Sequence, residues 1–167
     1  RTGVSGVNIH TVPNTINEVL GPELSHGRWA MRVHPEFYGM VMFAQAAPAG
    51  SHLLRLSGTS PSGVKVWATR SADGSMHVVV INKRLSGAAT AQLNIPGGHG
   101  AASVEQLQAP SVHATSGVTL GGQTFGTSTS TGLLGGRPAG LSVTPAGSTY
   151  SVRVPAASAT MLSLPAG

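Results

Sequence analysis

The stretch that decides the fold is residues 64–82, VKVWATRSADGSMHVVVIN. Apolar and polar side chains alternate through residues 64–69, which is the spacing of a strand with one buried face. The dipeptide Asp73-Gly74 is typical of a hairpin turn. Residues 76–82 are apolar at nearly every position, which is typical of a strand buried on both faces. The stretch therefore predicts an antiparallel hairpin whose second strand is central in a sheet.

Several further runs on both sides of this hairpin have the same period of two. They are residues 53–56, 89–95, 104–107, 150–154 and 160–164, and residues 112–120 could add another. Turn residues separate them at roughly ten-residue intervals, and about seven to nine short strands with this spacing are typical of an antiparallel β-sandwich. The segment 121–140 is rich in Gly, Ser and Thr, and we expect it to form a surface loop.

One helix is predicted, over residues 35–47. Pro35 suits a first helical position, and apolar residues recur along the segment at helical spacing. The opposite side of this helix is also apolar, which indicates burial on more than one side. Gly39 inside it costs about 1 kcal/mol relative to Ala, so we expect a close approach there. Residues 15–34 contain scattered Gly and Pro and are predicted to be mostly loop.

The first residues of the chain supply the candidate binding side chains. Residues 6–10, GVNIH, predict a short strand on which Asn8 and His10 share one face. Polar side chains are tolerated at the carboxyl end of a parallel strand, where ligands bind. The alternative is that Asn8 and His10 only cap the strand by bonding to loop backbone. Trp29 lies in the next segment, where it could stack on a ligand or pack the loop down.

Composition excludes several kinds of function. The chain has 167 residues, no Cys, a net charge of +5 and only 9% charged residues. Its basic residues are spread thinly, so we expect no nucleic-acid binding. No apolar run is long enough to span a membrane, and no signal peptide is recognisable at the start, so we expect the chain to begin inside a longer polypeptide.

The acidic residues are too few for most active sites. There are five of them, which are Glu18, Glu23, Glu36, Asp73 and Glu105. They supply no obvious pair of carboxylates, so no catalytic residue is assigned within this chain. The seven histidines lack the spacing of metal ligands, and we expect neither a metal nor another cofactor.

Five segments in order resemble the C-terminal part of family-79 glycoside hydrolases, the heparanase and β-glucuronidase group. They are residues 6–10, 35–40, 76–83, 117–122 and 150–155. The first resembles the eighth strand of that family's (β/α)8 barrel, and the second resembles its final barrel helix. The other three resemble parts of its C-terminal sandwich. The resemblance extends over nearly the whole chain.

The resemblance implies a mainly β fold in two parts. Residues 1–50 would be the last strand and helix of a (β/α)8 barrel, and residues 51–167 would be an antiparallel β-sandwich. The family uses two glutamates in a retaining mechanism, and both would precede Arg1. The isolated chain would then be inactive, with the role of closing and bracing the barrel. Asn8, His10 and Trp29 would contact substrate, although Ile9 stands where some relatives have Tyr.

The resemblance also implies partners and a location. The partners would be a carbohydrate or glycoconjugate with β-linked glucuronosyl units and the remainder of the barrel, in an extracellular protein. An alternative is a non-catalytic carbohydrate-binding sandwich, and a third possibility is a structural sandwich without a ligand. Trp67 distinguishes the hydrolase part from the carbohydrate-binding sandwich. It would be buried against the helix in the hydrolase part and exposed in a row of aromatic residues in the binding sandwich.

Overall fold

The chain folds mainly as antiparallel β-sheet, which confirms the predicted fold class. The computed structural model describes residues 8–12, 14–15, 18–25, 27–97 and 100–166, and these residues form one helix and twelve strands. The helix is α1 (Pro35–Ala46). The strands are β1 (Leu20–Ser25), β2 (Arg28–Val33), β3 (His52–Leu53), β4 (Val64–Arg70), β5 (Met76–Asn82), β6 (Ala89–Asn94), β7 (Ala102–Gln108), β8 (Thr119–Leu120), β9 (Ser128–Thr129), β10 (Leu141–Val143), β11 (Thr149–Val154) and β12 (Ser158–Leu164).

The predicted hairpin, β4–β5, lies inside the largest sheet. The strand order there is β10-β7-β12-β5-β4-β3, and β8 pairs with β7. Strand β5 pairs with β4 on one side and β12 on the other, so the prediction that it is central is confirmed. At the turn, Asp73 Oδ1 accepts hydrogen bonds from the backbone N–H of Ser75 at 2.9 Å and from its hydroxyl at 2.6 Å. Gly74 supplies the positive φ of 88° that the turn requires.

The inner face of the large sheet packs against a second sheet formed by β6 and β11. Alternation along each strand directs Val80 and Leu162 to this face, and both are fully buried. Tyr150 and Val154 of β11 meet them from the other layer. Burial of each such side chain contributes roughly 1.5–3 kcal/mol, so these two layers form the core of a sandwich and fix its register.

Helix α1 covers the outer face of the large sheet. It begins at Pro35, as predicted, and ends one residue before the predicted end. Tyr38, Met42 and Ala46 recur every four residues and are buried against the sheet. The hydroxyl of Tyr38 accepts a hydrogen bond from the backbone N–H of Phe125 at 2.8 Å. The helix and the sandwich therefore share one apolar cluster.

The loop predicted over residues 15–34 is wrong, because strands β1 and β2 form an antiparallel hairpin there. Strand β1 lies at the edge of the three-stranded sheet β1-β2-β9. An edge strand tolerates Pro22, since the missing N–H can face away from the ladder. The Gly and Pro residues that suggest a loop are therefore compatible with a strand in this position.

Other differences from prediction lie in short strands. The strand predicted over residues 112–120 is reduced to β8, and β10 is not predicted. Of the strand predicted over residues 53–56, only Leu53 lies in a strand, β3. The segment 121–140 contains β9 and buries Phe125, whose ring centroid lies 5.1 Å from that of Tyr38. Contacts with residues distant in the sequence stabilise these elements, and the local sequence pattern does not predict such contacts.

Two predictions about helix and strand positions remain. At Gly39, nothing in the described residues lies within 4 Å of the place a Cβ would take, so the predicted close approach is absent from this part of the chain. Of the strand predicted over residues 6–10, residues 6 and 7 lie outside the described residues, and residues 8–10 belong to no strand. The boundary between residues 1–50 and 51–167 stays a prediction.

Candidate functional site

Trp29 lies at the turn end of the β1–β2 hairpin and is 69% exposed. Its cross-strand partner, Leu24, is also exposed. On the same face, Met31 is half-buried and Val33 is buried, so one end of the hairpin is anchored and the other projects. The ring of Trp29 therefore does not pack its segment against the described part of the chain, and its face is open for stacking on a ligand.

Asn8 and His10 are both exposed and belong to no strand. Neither side chain hydrogen bonds to another residue in the part of the chain that the structure describes. The structure does not bring either of them into a bonded cluster with Trp29. Their role in binding, and the alternative role as strand caps, both stay predictions.

A buried carboxylate, that of Glu18, ties together the segment between His10 and the hairpin. Its Oε1 accepts a hydrogen bond from the backbone N–H of Asn14 at 2.7 Å. Its Oε2 accepts from Nη2 of Arg32 at 3.1 Å and from Nε2 of His34 at 3.0 Å. Glu18 is not among the site residues that the sequence predicts. The available signal is that it is an acid between the apolar residues Ile16 and Val19.

The surroundings of Glu18 favour its ionised form. The hydrogen bond from Asn14, and then those from His34 and Arg32, hold the pKa of the Glu18 carboxyl below its ordinary value, although burial opposes this. A Cβ at Gly21 would collide with the carboxylate, so only glycine leaves room for it. We call Glu18 with its partners Asn14, Arg32 and His34 the Glu18 cluster. These hydrogen bonds attach the segment that follows Asn8 and His10 to the end of strand β2.

A second feature is a wide apolar groove between α1 and the outer face of strands β3, β4 and β5. Its volume is about 1210 Å³. We call it the apolar groove, and it is lined chiefly by Gly39, Phe43, Leu53, Trp67 and Ile81. Among the described residues that line it, Lys83 is the only one with a permanent charge.

Two large aromatic side chains are left open in the apolar groove. Phe43 is 72% exposed and Trp67 is 53% exposed. The expectation that Trp67 is buried against the helix is therefore wrong for this chain, because the helix packs on the strands further along the sheet. Trp67 has Phe43 as its one aromatic companion among the described groove residues, which is less than a row.

The acidic residues occupy different elements. Glu18 precedes β1, Glu23 lies in β1, Glu36 begins α1, Asp73 lies in the β4–β5 turn and Glu105 lies in β7. Among the described residues, no group of three or more His, Cys, Asp and Glu side chains could hold a metal ion. No helix in the described part of the chain is both long enough and apolar enough to cross a membrane.

A comparison with known protein families assigns this architecture to one of them. Residues 66–161, more than half of the chain, match the family described as the glycosyl hydrolase family 79 C-terminal beta domain. The chain belongs to the family of glycosyl hydrolase family 79 C-terminal beta domains. The family-79 match includes the β4–β5 hairpin and both layers of the sandwich. The predicted resemblance is therefore confirmed.

Solved structures support the same fold. The family-79 chain is similar to a GH51 arabinofuranosidase from Xanthomonas axonopodis pv. citri, with 17% identity and a TM-score of 0.62, over 92% of this chain and 30% of that one. It is similar to the catalytic domain of GH30 xylanase C from Talaromyces cellulolyticus, with 20% identity and a TM-score of 0.58, over 88% of this chain and 27% of that one.

A third similar structure is a 4-O-α-L-rhamnosyl-β-D-glucuronidase from Fusarium oxysporum 12S. The identity is 24% and the TM-score is 0.55, over 73% of the family-79 chain and 28% of that protein. At these identities the likeness concerns the fold alone. A comparison with curated protein sequences gives no match. The family-79 chain spans less than a third of the length of each of these three structures.

Proposed function

We propose that this chain is the C-terminal part of a retaining glycoside hydrolase that releases β-linked glucuronosyl or related sugars outside the cell. The family-79 match over residues 66–161 carries the proposal. In it, residues 1–50 complete a (β/α)8 barrel and residues 51–167 form the sandwich that braces it. The two catalytic glutamates lie in the remainder of the barrel.

Within this proposal, Asn8, His10 and Trp29 contact the sugar. The exposure of all three side chains supports this, since they can reach a ligand without displacing core residues. The indole ring offers a stacking face, while the amide and imidazole offer hydrogen bonds. The Glu18 cluster would hold the intervening segment in place and so fix the distance between these groups.

The apolar groove would receive the rest of the barrel. Phe43 and Trp67 expose large apolar surfaces on facing walls of the groove, and exposed patches of this kind mark interaction sites. Gly39 leaves the helix without a side chain beside the groove, so a segment of main chain can approach closely there. The occupant would be an apolar helix of the barrel, which fits a chain that spans less than a third of its structural relatives.

Activity is tested with 4-nitrophenyl β-D-glucuronide. The longer polypeptide that carries this chain at its C-terminus is expected to release 4-nitrophenol, and the 167-residue chain alone is not. Turnover by the chain alone would contradict the proposal. So would a longer polypeptide that cleaves only xylosides or arabinofuranosides. Secretion of the longer polypeptide into the medium tests the location.

Residue roles are tested in the same longer polypeptide. Trp29→Ala and His10→Ala are each expected to lower kcat/KM on the order of tenfold, equivalent to about 1.4 kcal/mol. Leu85→Ala, at another exposed apolar position, serves as the matched control and is expected to leave kcat/KM unchanged. Equal effects at all three positions would rule out a specific role.

Docking in the groove is tested by fluorescence. Trp29→Phe leaves Trp67 as the one tryptophan of this chain. Its emission is expected to shift to shorter wavelength when the barrel, with its own tryptophans replaced, is present in the same polypeptide. Phe43→Ser is expected to lower the unfolding temperature of the longer polypeptide much more than Leu133→Ser, an equally exposed control. Equal losses would argue against the docking role.

A second function remains supported by one observation. Trp67 and Phe43 are both exposed in the lining of the apolar groove, so each ring could stack on a sugar. In that case the 167-residue chain would bind oligosaccharides by itself, and Trp67→Ala would abolish binding. The fluorescence experiment separates the two functions, because a barrel-covered Trp67 cannot bind sugar.

A further inference from the structure

A second pocket, which has His77 in common with the apolar groove, lies between α1 and the outer face of the large sheet. Its volume is about 470 Å³, which is within the range of small-ligand sites. We call it the Glu105 pocket. Polar side chains from α1, three strands and the turn after β8 converge on it, and they are Gln45, His77, Ser103, Glu105, Gln123 and Ser163.

The carboxylate of Glu105 lies in this pocket, next to Gly121. Ala102 and Val104 of β7 face the inner core, so Glu105 points to the outer face of the sheet. A Cβ on Gly121 would lie 2.9 Å from Oε1 of Glu105, and Gly121 has a φ of 58°. Glycine at position 121 therefore leaves the space that the carboxylate occupies.

Glu105 has no cation to balance its charge. Within the described residues, no Lys or Arg nitrogen lies within 4.0 Å of it. Burial raises the pKa of the Glu105 carboxyl, and the amide of Gln45 offsets this only in part. A half-buried carboxylate without a cationic partner reduces stability, and such groups in clefts are candidates for function.

The other polar side chains of the pocket are amides, hydroxyls and the imidazole of His77. Nδ1 of His77 lies 2.9 Å from the hydroxyl of Ser163, which fixes the ring and leaves Nε2 as its second bonding atom. Two amides and two hydroxyls can each donate and accept. Leu141 and Met161 add apolar surface beside them. This combination of several amides and hydroxyls with a small apolar surface complements a polyol.

We propose that the Glu105 pocket binds an uncharged, hydroxyl-rich ligand of about one or two sugar rings. The carboxylate accepts hydrogen bonds from neighbouring hydroxyls of the ligand, and Gln45, Gln123 and Ser103 bond to the remaining ones. An ammonium or guanidinium ligand carries no acceptor, so it would leave the N–H groups of Gln45 and Gln123 and the hydroxyl of Ser103 without a partner on the ligand. An acidic sugar is disfavoured by repulsion from Glu105. This site is independent of the glucuronosyl site proposed above.

The experiment is an NMR titration of the ¹⁵N-labelled 167-residue chain. The probes are methyl β-D-glucopyranoside, cellobiose, sodium D-glucuronate and methylguanidinium. The two uncharged sugars are expected to shift the amide signals of Glu105, Gly121, Gln123 and Ser163, and glucuronate is expected to bind at least tenfold more weakly. Shifts confined to other residues, no shifts with either sugar, or a response to methylguanidinium alone would overturn the proposal.

Variants assign the effect to the pocket. Glu105→Gln and Gln45→Ala are each expected to weaken binding of cellobiose about tenfold. Gln45 is an exposed helix residue, so its replacement leaves the fold intact and keeps the test valid if Glu105→Gln perturbs β7. Glu36→Gln, on the exposed start of the same helix, is the control and is expected to bind as the parent chain does. Unchanged binding in both pocket variants would refute the assignment.

Discussion

Nε2 of His34 lies 3.0 Å from Oε2 of Glu18, and this contact joins the residue before α1 to the segment before β1. Arg32 shares the same carboxylate oxygen at 3.1 Å. Both partners are partly exposed, whereas the Glu18 side chain is 4% exposed. The cluster therefore closes the hairpin against the segment that leads to it.

Replacing Glu18 should change how stability depends on pH. The folded chain holds the pKa of Glu18 below its ordinary value, so this carboxylate stabilises the fold above that value and ceases to do so as pH falls through the lowered pKa. We expect the free energy of unfolding to fall between about pH 5 and pH 3. Urea denaturation across that range should show that the unfolding free energy of Glu18→Gln depends less on pH than that of the parent chain.

The control for this prediction is Glu36→Gln, at an exposed position in the first turn of α1. Its acid dependence is expected to follow that of the parent chain. If both variants follow the parent equally, the hydrogen bonds to Glu18 do not contribute to acid sensitivity.

Asn82 is expected to be among the most sensitive polar positions in the sandwich. It is 1% exposed, and its Nδ2 donates to the carbonyls of Gly87, Val154 and Pro155, while its Oδ1 accepts from the N–H of Arg84. Asn82→Ala leaves these backbone groups unpaired, and we expect a loss of about 3 kcal/mol of unfolding free energy.

The matched control is Asn94→Ala in β6, where the amide is exposed and bonds to Ser148. Its replacement should change the unfolding free energy by no more than about 0.5 kcal/mol. Chemical denaturation measures both variants, and similar losses in the two would show that burial of Asn82 is not what matters.

Thr160 offers a stabilising substitution. It is fully buried, and its Oγ1 has no hydrogen-bond partner among the residues that the structure describes. Thr160→Val keeps the shape and removes an unpaired polar atom, so we expect a gain of about 1 kcal/mol. Thr69→Val should instead lose about 1 kcal/mol, because that hydroxyl donates to the carbonyl of Ala46. A loss in both would mean that Thr160 has a partner in solution.

Glu105→Gln should stabilise the chain at neutral pH. Burial raises the pKa of Glu105 in the fold, so the fold favours the protonated carboxyl. The stability of the chain therefore falls as pH rises through that raised pKa and the group ionises. Thermal unfolding at pH 7 should show a higher Tm for the variant, and the difference should vanish near about pH 4. The gain is small because water still reaches the group. A lower Tm at pH 7 would contradict this.

Much of the sandwich is predictable because its signals are local. The alternation in residues 64–69, the apolar run in 76–82 and the Asp73-Gly74 turn each act over a few neighbouring positions, and β4 and β5 form where they indicate. The same holds for α1, whose apolar spacing and Pro35 place its start. The resemblance to family 79 depends on the order of such segments, and the family match confirms it.

The candidate sites were less accessible to prediction. Exposure of Trp29 depends on the pairing of β1 with β2. The sequence does not predict that pairing, because Pro22 is typical of a loop. The Glu18 cluster forms only when folding brings Asn14, Arg32 and His34 to the carboxylate of Glu18. The Glu105 pocket needs residues as distant as Gln45 and Ser163. No spacing in the sequence encodes these encounters.

The sequence by itself determined the β-sandwich, its central hairpin, the single helix and the family, because strand and helix periods arise from backbone geometry that each segment carries with it. Only the tertiary structure decided which polar groups are buried together, which aromatic rings stay open beside α1, and that Gly21 and Gly121 make room for carboxylates. Those properties depend on contacts between segments far apart in the chain, where burial and hydrogen bonding are settled by packing.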